Sequence, residues 1–146
     1  MKHCLPLLLF ALFVATQAGC DNGHASACPG PDPAVDRIEF SAASSPAHLR
    51  VTVVLRNHGG TDFASLSGSQ TIALFEGRRL LAERSFDSLS AGRELPVEFE
   101  IPADLAEGAR YEAAILYDPN IYSDATPAND DCNRTNNRLQ ARAPAQ

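Results

Sequence analysis

The chain has no tryptophan, one methionine and one lysine, Lys2. Every later base is arginine, and only Arg78 and Arg79 are adjacent. Acids outnumber bases 18 to 12, for a formal net charge of -6. An acidic chain without a basic stripe argues against nucleic acid as a partner. Gly-x-Ser-x-Gly, phosphate-loop and His-Glu-x-x-His signatures are missing. His24, His48 and His58 have no evident nucleophile or carboxylate partner in the sequence. Adjacent acids occur only in one polar loop, a weak signal for glycoside hydrolysis. The expectation is a protein that is not an enzyme and needs no cofactor. No apolar run reaches the roughly 20 residues of a membrane span. Neither an internal repeat nor a heptad pattern occurs.

What is present begins with an address. "MKHCLPLLLFALFVATQAG" has a basic start and an apolar run from Leu5 to Ala15, the pattern of an export signal. "TQAGC" resembles a bacterial lipobox, which implies cleavage after Gly19 and lipidation of Cys20. Gln17 departs from the leucine usual there. The alternative cut follows "ASA" at Ala25–Ala27 and leaves a soluble secreted or periplasmic protein. Residues 1–19 are thus expected as signal (1–27 in the alternative), 20–35 as a Gly/Pro-rich flexible tether, and 36–146 as one domain. About 120 mature residues suffice for one core, not two. The expected location is the periplasmic or cell-surface side of a membrane, held only by the lipid.

Either cut delivers the chain to an oxidising compartment. Cys4 leaves with the signal, and Cys20 is lipidated or removed. Cys28 and Cys132 remain and are expected to pair. Their spacing fits neither a zinc knuckle nor a redox Cys-x-x-Cys.

From Asp36 onward the hydrophobic period is two, which specifies strands. Ile38, Phe40 and Ala42 share a face, as do Leu49, Val51, Val53 and Leu55. Ile72 and Leu74 precede a turn at Gly77-Arg78, which leads to "LLAERSFDSL", where the alternation is looser. Leu95, Val97, Phe99 and Ile101 alternate with Pro96, Glu98 and Glu100. Tyr111, Ala113, Ile115 and Tyr117 follow in register, and "NRLQARA" closes the set. Seven short strands separated by turn signals predict an all-β antiparallel sandwich with Greek-key connections. Pro96 restricts its strand to a sheet edge or its own first positions.

Leu105, Gly108 and Tyr111 in "LAEGARY" resemble the tyrosine corner of fibronectin type III and immunoglobulin-like domains. In order, "VVLRNHGG", "LFEGRRLL", "SLSAGRELPVEF" and "YDPNIYSDATPANDDCNRTNNRL" resemble the CARDB family of bacterial cell-adhesion-related domains. That resemblance implies an Ig-like module used in adhesion or binding. The chain departs from the family in the last loop, where "NDDCNRTNN" replaces a glutamate-rich form.

That loop holds the candidate binding residues Asp118, Asn120, Asp124, Asp130, Asp131, Asn136 and Asn137. Asn and Asp side chains bond their own nearby backbone and so rigidify loops. Asp118, Asn120, Asp124, Asp130 and Asp131 are also hard oxygen donors suited to calcium, although Ser123 and Asn129 break the EF-hand register. Three functions are therefore expected in order: an envelope module binding a protein or glycan through the pole formed by "NHGGTDFASLSGS" and this loop, a calcium-dependent module using the same loop, and a tethered inhibitor of an extracytoplasmic enzyme.

Overall fold

The computed structural model describes residues 28–103, 108–118 and 121–144. The two cleavage sites, Cys20, Leu105 and Asn120 lie outside the described residues. Among the described residues nine strands follow in order: β1 (Pro33–Ala42), β2 (His48–Asn57), β3 (Phe63–Ala64), β4 (Gln70–Glu76), β5 (Arg79–Ser85), β6 (Ser88–Leu89), β7 (Glu94–Pro102), β8 (Arg110–Tyr117) and β9 (Arg138–Arg142). Seven are the strands expected from the alternation. β3 and β6 are two-residue pieces that pair with each other.

All pairings are antiparallel. One sheet has the order β1-β2-β7 and the other β5-β4-β8-β9. The chain crosses between them from β2 to β4, from β5 to β7 and from β7 to β8. This is the immunoglobulin-like sandwich, with the fifth strand beside the fourth as in fibronectin type III domains. The core fills from both inner faces: Leu49, Val51, Val53 and Leu55 of β2 and Phe99 and Ile101 of β7 meet Ile72, Leu74, Tyr111, Ala113 and Ile115. β7 is an edge strand, so Pro96 interrupts no ladder between strands.

Hairpin β4–β5 turns in two residues, because Glu76 pairs with Arg79. Gly77 has φ 59°. A positive φ at the first central position is what a II′ hairpin needs and what a side chain resists. Ion pairs lace the outer face of the β1-β2-β7 sheet: Arg37 meets Asp36, Glu39 and Glu94, and Arg50 meets Glu98 and Glu100. These groups are largely exposed, so each adds little stability.

Two boundaries differ from expectation. β1 begins at Pro33, not Asp36, and residues 28–35 are part of the fold, not of a tether. Pro31, Asp32, Ala34 and Val35 are buried. A register shift between Val35 and Arg37 lets both halves of the strand pair with β2. Val54 is also buried despite its outward register, covered where it pairs with Arg37 and Pro96.

Candidate functional site

One end of the sandwich gathers the start of β1, the end of β2, the β2–β4 connection and the long β8–β9 loop. Strand alternation brings β2 to this end with its last residue, Asn57, facing inward and fully buried. Its side chain bonds four backbone groups. Oδ1 accepts from the amides of Asp32 and Gly59 at 3.0 and 2.9 Å. Nδ2 donates to the carbonyls of Thr61 and Leu89 at 2.9 and 2.8 Å. One asparagine thus joins the N-terminal arm, the β2–β4 connection and β6. No charged or apolar side chain supplies two donors and an acceptor in that plane.

The arm is clamped beside it. The Gly60 amide donates to the carbonyls of Cys28 and Gly30, and the Cys132 amide donates to the Pro31 carbonyl. Cys28 and Cys132 form the expected disulfide, with Cα atoms 6.1 Å apart. Gly59 lies against this arm. A Cβ there would sit 2.1 Å from the Gly30 oxygen and 2.6 Å from the Asp32 nitrogen, both backbone atoms. Gly59→Ala is therefore expected to lift the arm and cost about 3 kcal/mol, by overpacking that backbone cannot relieve. Urea melts would read the loss. Unchanged stability would mean that the arm is not seated there.

The β8–β9 loop is held by its own polar side chains. Asp124 accepts from the Thr126 amide and from Asn129 Nδ2, both at 2.8 Å. The Asn129 bond is the larger cause holding its carboxyl below the usual range. Asn133 caps a single 3₁₀ turn over Arg134–Asn136 by accepting from the Thr135 amide. Asn136 donates to Asp32 Oδ1 at 2.8 Å, and Asn137 donates to Asp131 Oδ2 at 2.6 Å. The Asn137 carbonyl accepts from the Ile115 amide, fastening the loop to β8. Gln70 donates to the Phe86 carbonyl.

The candidate residues thus divide. Asp131 and Asn137 are buried, Asn136 is half-buried and Asp124 is exposed, and all four bond the protein itself. Asp118 is exposed at the exit of β8, where its amide donates to Ser69 and its carbonyl accepts from Ile121. Asp124 and Asp131 serve separate networks, so the calcium set expected from the sequence is not gathered as drawn. Among the described residues, no three His, Cys, Asp or Glu side chains converge as a metal cluster. His58, expected to stand alone, meets Asp36 at 3.2 Å on the surface. The cause is register: the turn after Asn57 carries His58 back over β1.

What faces solvent at this pole is different in kind. An aromatic run rises from the core, Phe86 to Phe63 to Tyr117 to Tyr122, with centroid spacings of 5.6, 6.2 and 6.3 Å. The Arg134 guanidinium caps it 3.4 Å over the Tyr122 ring. Leu66 stands 78% exposed in the neighbouring β3–β4 turn. Ser65 and Ala64 tie that turn to Asn129 and Ala128. Sequence reasoning missed Tyr122, Arg134 and Leu66 because they lie outside any periodic segment. At the opposite pole Phe40, Ala42, Pro46, Leu49 and Pro144 line a groove of about 410 Å³.

Asp131 is 4% exposed, and burial pushes its carboxyl above the usual range against opposing hydrogen bonds from the Asn133 amide, Asn137 and Tyr117. Burial, then the Asp131 charge, also raises the Tyr117 hydroxyl, which lies beside that carboxyl. A raised folded pKa means that the folded state holds the proton more tightly than the unfolded chain. The stability Asp131 contributes is full below its unfolded pKa, about 3.9, and is lost as pH rises through the folded value. Wild type should therefore gain stability relative to Asp131→Asn as pH falls from 7 toward about 4.5. Paired denaturant melts would measure this, and a relative loss on acidification would contradict the assignment.

Comparison with known proteins adds a fold. No family model and no curated protein sequence matches the chain. A crystal structure of a CARDB domain from Pyrococcus furiosus, in complex with di-metal ions, superposes with a TM-score of 0.54 at 15% identity, over 82% of this chain and 92% of that one. A solution NMR structure of the same domain superposes at 0.50 with 16% identity, over 76% and 91%. The chain has a CARDB-like fold. At this identity the likeness carries the fold and not the ligand.

Proposed function

We propose that the chain is an exported, non-catalytic binding module of a bacterial cell envelope, anchored by lipid on Cys20 and presenting its loop pole to an envelope protein. The observation that carries the reading is the contrast at that pole. The polar side chains are spent on holding the loops rigid, while Leu66, Tyr122 and Arg134 are left facing outward. Rigid loops offering an aromatic, an arginine and an aliphatic group match the composition of protein-binding hot spots. Loops on a rigid scaffold are where such sites gather.

Anchoring would also orient the module. Only seven residues separate Cys20 from Cys28, so a fully extended spacer reaches about 29 Å at most. The disulfide holds Cys28 at the loop pole, so that pole would face the membrane and meet a membrane-proximal partner. A photo-crosslinking residue placed at Tyr122 in cells should yield one discrete adduct, and the same residue at Leu80 of β5 should not. Equal labelling at both positions, or none at Tyr122, would count against the reading. Fatty-acid labelling that persists in Cys20→Ala would remove the anchor.

A further inference from the structure

Asp32 and Asp131 are buried, 5% and 4% exposed, and neither has an arginine, lysine or histidine in ion-pair contact among the described residues. They lie side by side. The Pro31 carbonyl precedes Asp32, the Cys132 amide follows Asp131, and the two are hydrogen-bonded at 3.0 Å. The charge of Asp32 is among the causes that raise Asp131. Buried carboxylates are ordinarily paired or bound to a cation.

The surrounding atoms point the same way. Among the described residues, the buried side-chain atoms near this pole that meet no hydrogen-bonding protein group are all oxygens: Gln70 Oε1, Asn129 Oδ1, Asp130 Oδ1, Asn136 Oδ1 and Asn137 Oδ1. Two of them belong to the amides already in contact with the paired acids. Asn137, 7% exposed, touches Asp131 through Nδ2, and Asn136 touches Asp32 in the same way. A planar amide holds its oxygen about 2.3 Å from its nitrogen. Both carbonyl oxygens therefore stay next to the carboxylates. Two acids and two amide oxygens, without a competing positive group, match the donors a hard cation selects.

We propose that Asp32, Asp131, Asn136 and Asn137 form a site for a divalent cation of the calcium type, closed by the disulfide-clamped arm. The site is distinct from the carboxylates of the outer loop, because it needs Asp32 from the arm and does not need Asp124. It also stands whether or not the pole binds a protein.

Terbium is a suitable probe. The chain has no tryptophan, so emission excited through tyrosine reports the Tyr117–Tyr122 pair beside Asp131. The disulfide-intact protein, stripped with EGTA, should show sensitised terbium emission that calcium displaces. Its Tm should rise by roughly 10 °C at calcium near 100 times Kd. Asp32→Asn should weaken terbium at least tenfold, and Glu83→Gln on exposed β5 should leave it unchanged. Absence of emission with Tm unaffected by millimolar calcium would overturn the proposal and leave a site filled by water or a proton. Affinity retained in Asp32→Asn would also overturn it, placing the ion in the outer loop. The titration of the unmodified chain decides even if a variant fails to fold.

Discussion

Reducing the Cys28–Cys132 disulfide is expected to lower stability by roughly 4–5 kcal/mol, because it closes a loop of about 100 residues in the unfolded chain. The loss arises mainly through the unfolded state, whose freedom the bridge restricts. No strand contains either cysteine, so the reduced protein should keep its sheets and its far-UV spectrum. It should unfold with a Tm lower by roughly 15 °C or more. The double variant Cys28→Ser/Cys132→Ser should behave like the reduced protein. Equal melting of oxidised and reduced protein would show that the arm is held wholly by its hydrogen bonds, and the bridge would then have no stabilising role.

Asn57→Ala should have an effect of similar size, about 4 kcal/mol or more. The substitution strips partners from two amides and two carbonyls, buried at Asp32 and Leu89 and part-buried at Gly59 and Thr61, and each stranded group that stays buried costs about 1–3 kcal/mol. Loss of one side chain would then loosen three segments: the arm at Asp32, the turn at Gly59 and Thr61, and β6 at Leu89. Asn57→Asp should be no better. It keeps an acceptor for the amides but turns a charged oxygen toward the carbonyls of Thr61 and Leu89. Chemical denaturation of the three proteins gives the order directly. An aspartate variant as stable as wild type would show that Nδ2 donates nothing important.

These two sites also mark how far the sequence could be read. The seven long strands were legible because one face of each is buried, and burial writes itself as alternation: Leu49, Val51, Val53, Leu55 on β2 and Leu95, Val97, Phe99, Ile101 on β7. Pro96, which lacks the amide a central strand needs, left its strand either at an edge or with the proline among its first residues, and β7 takes the edge. The disulfide was legible from compartment and parity. By contrast, "CPGPDP" has the composition of a tether, and nothing local says otherwise. What seats it is Asn57, which is 25 residues beyond Asp32. Phe63 enters the core from a two-residue strand and Phe86 from the short link between β5 and β6, both too short to show a period. The asparagines of the last loop were legible as loop-builders by residue type, because their amides can bond nearby backbone. Their individual partners were not, since Asn136 reaches across to Asp32 over 104 residues. Leu66 and Tyr122 were hidden for a simpler reason. An isolated apolar residue in a polar loop reads as noise until its exposure is known.

Everything proposed for the pole depends on the arm, the Asn57 turn and the last loop being one rigid unit. Amide hydrogen exchange in the oxidised protein tests this most directly. The amides of Asp32, Gly59, Gly60 and Cys132 all donate within the clamp, so they should exchange as slowly as those of β2 and β8. Exchange of these four at the rate of unstructured peptide, with the strands still protected, would contradict the account.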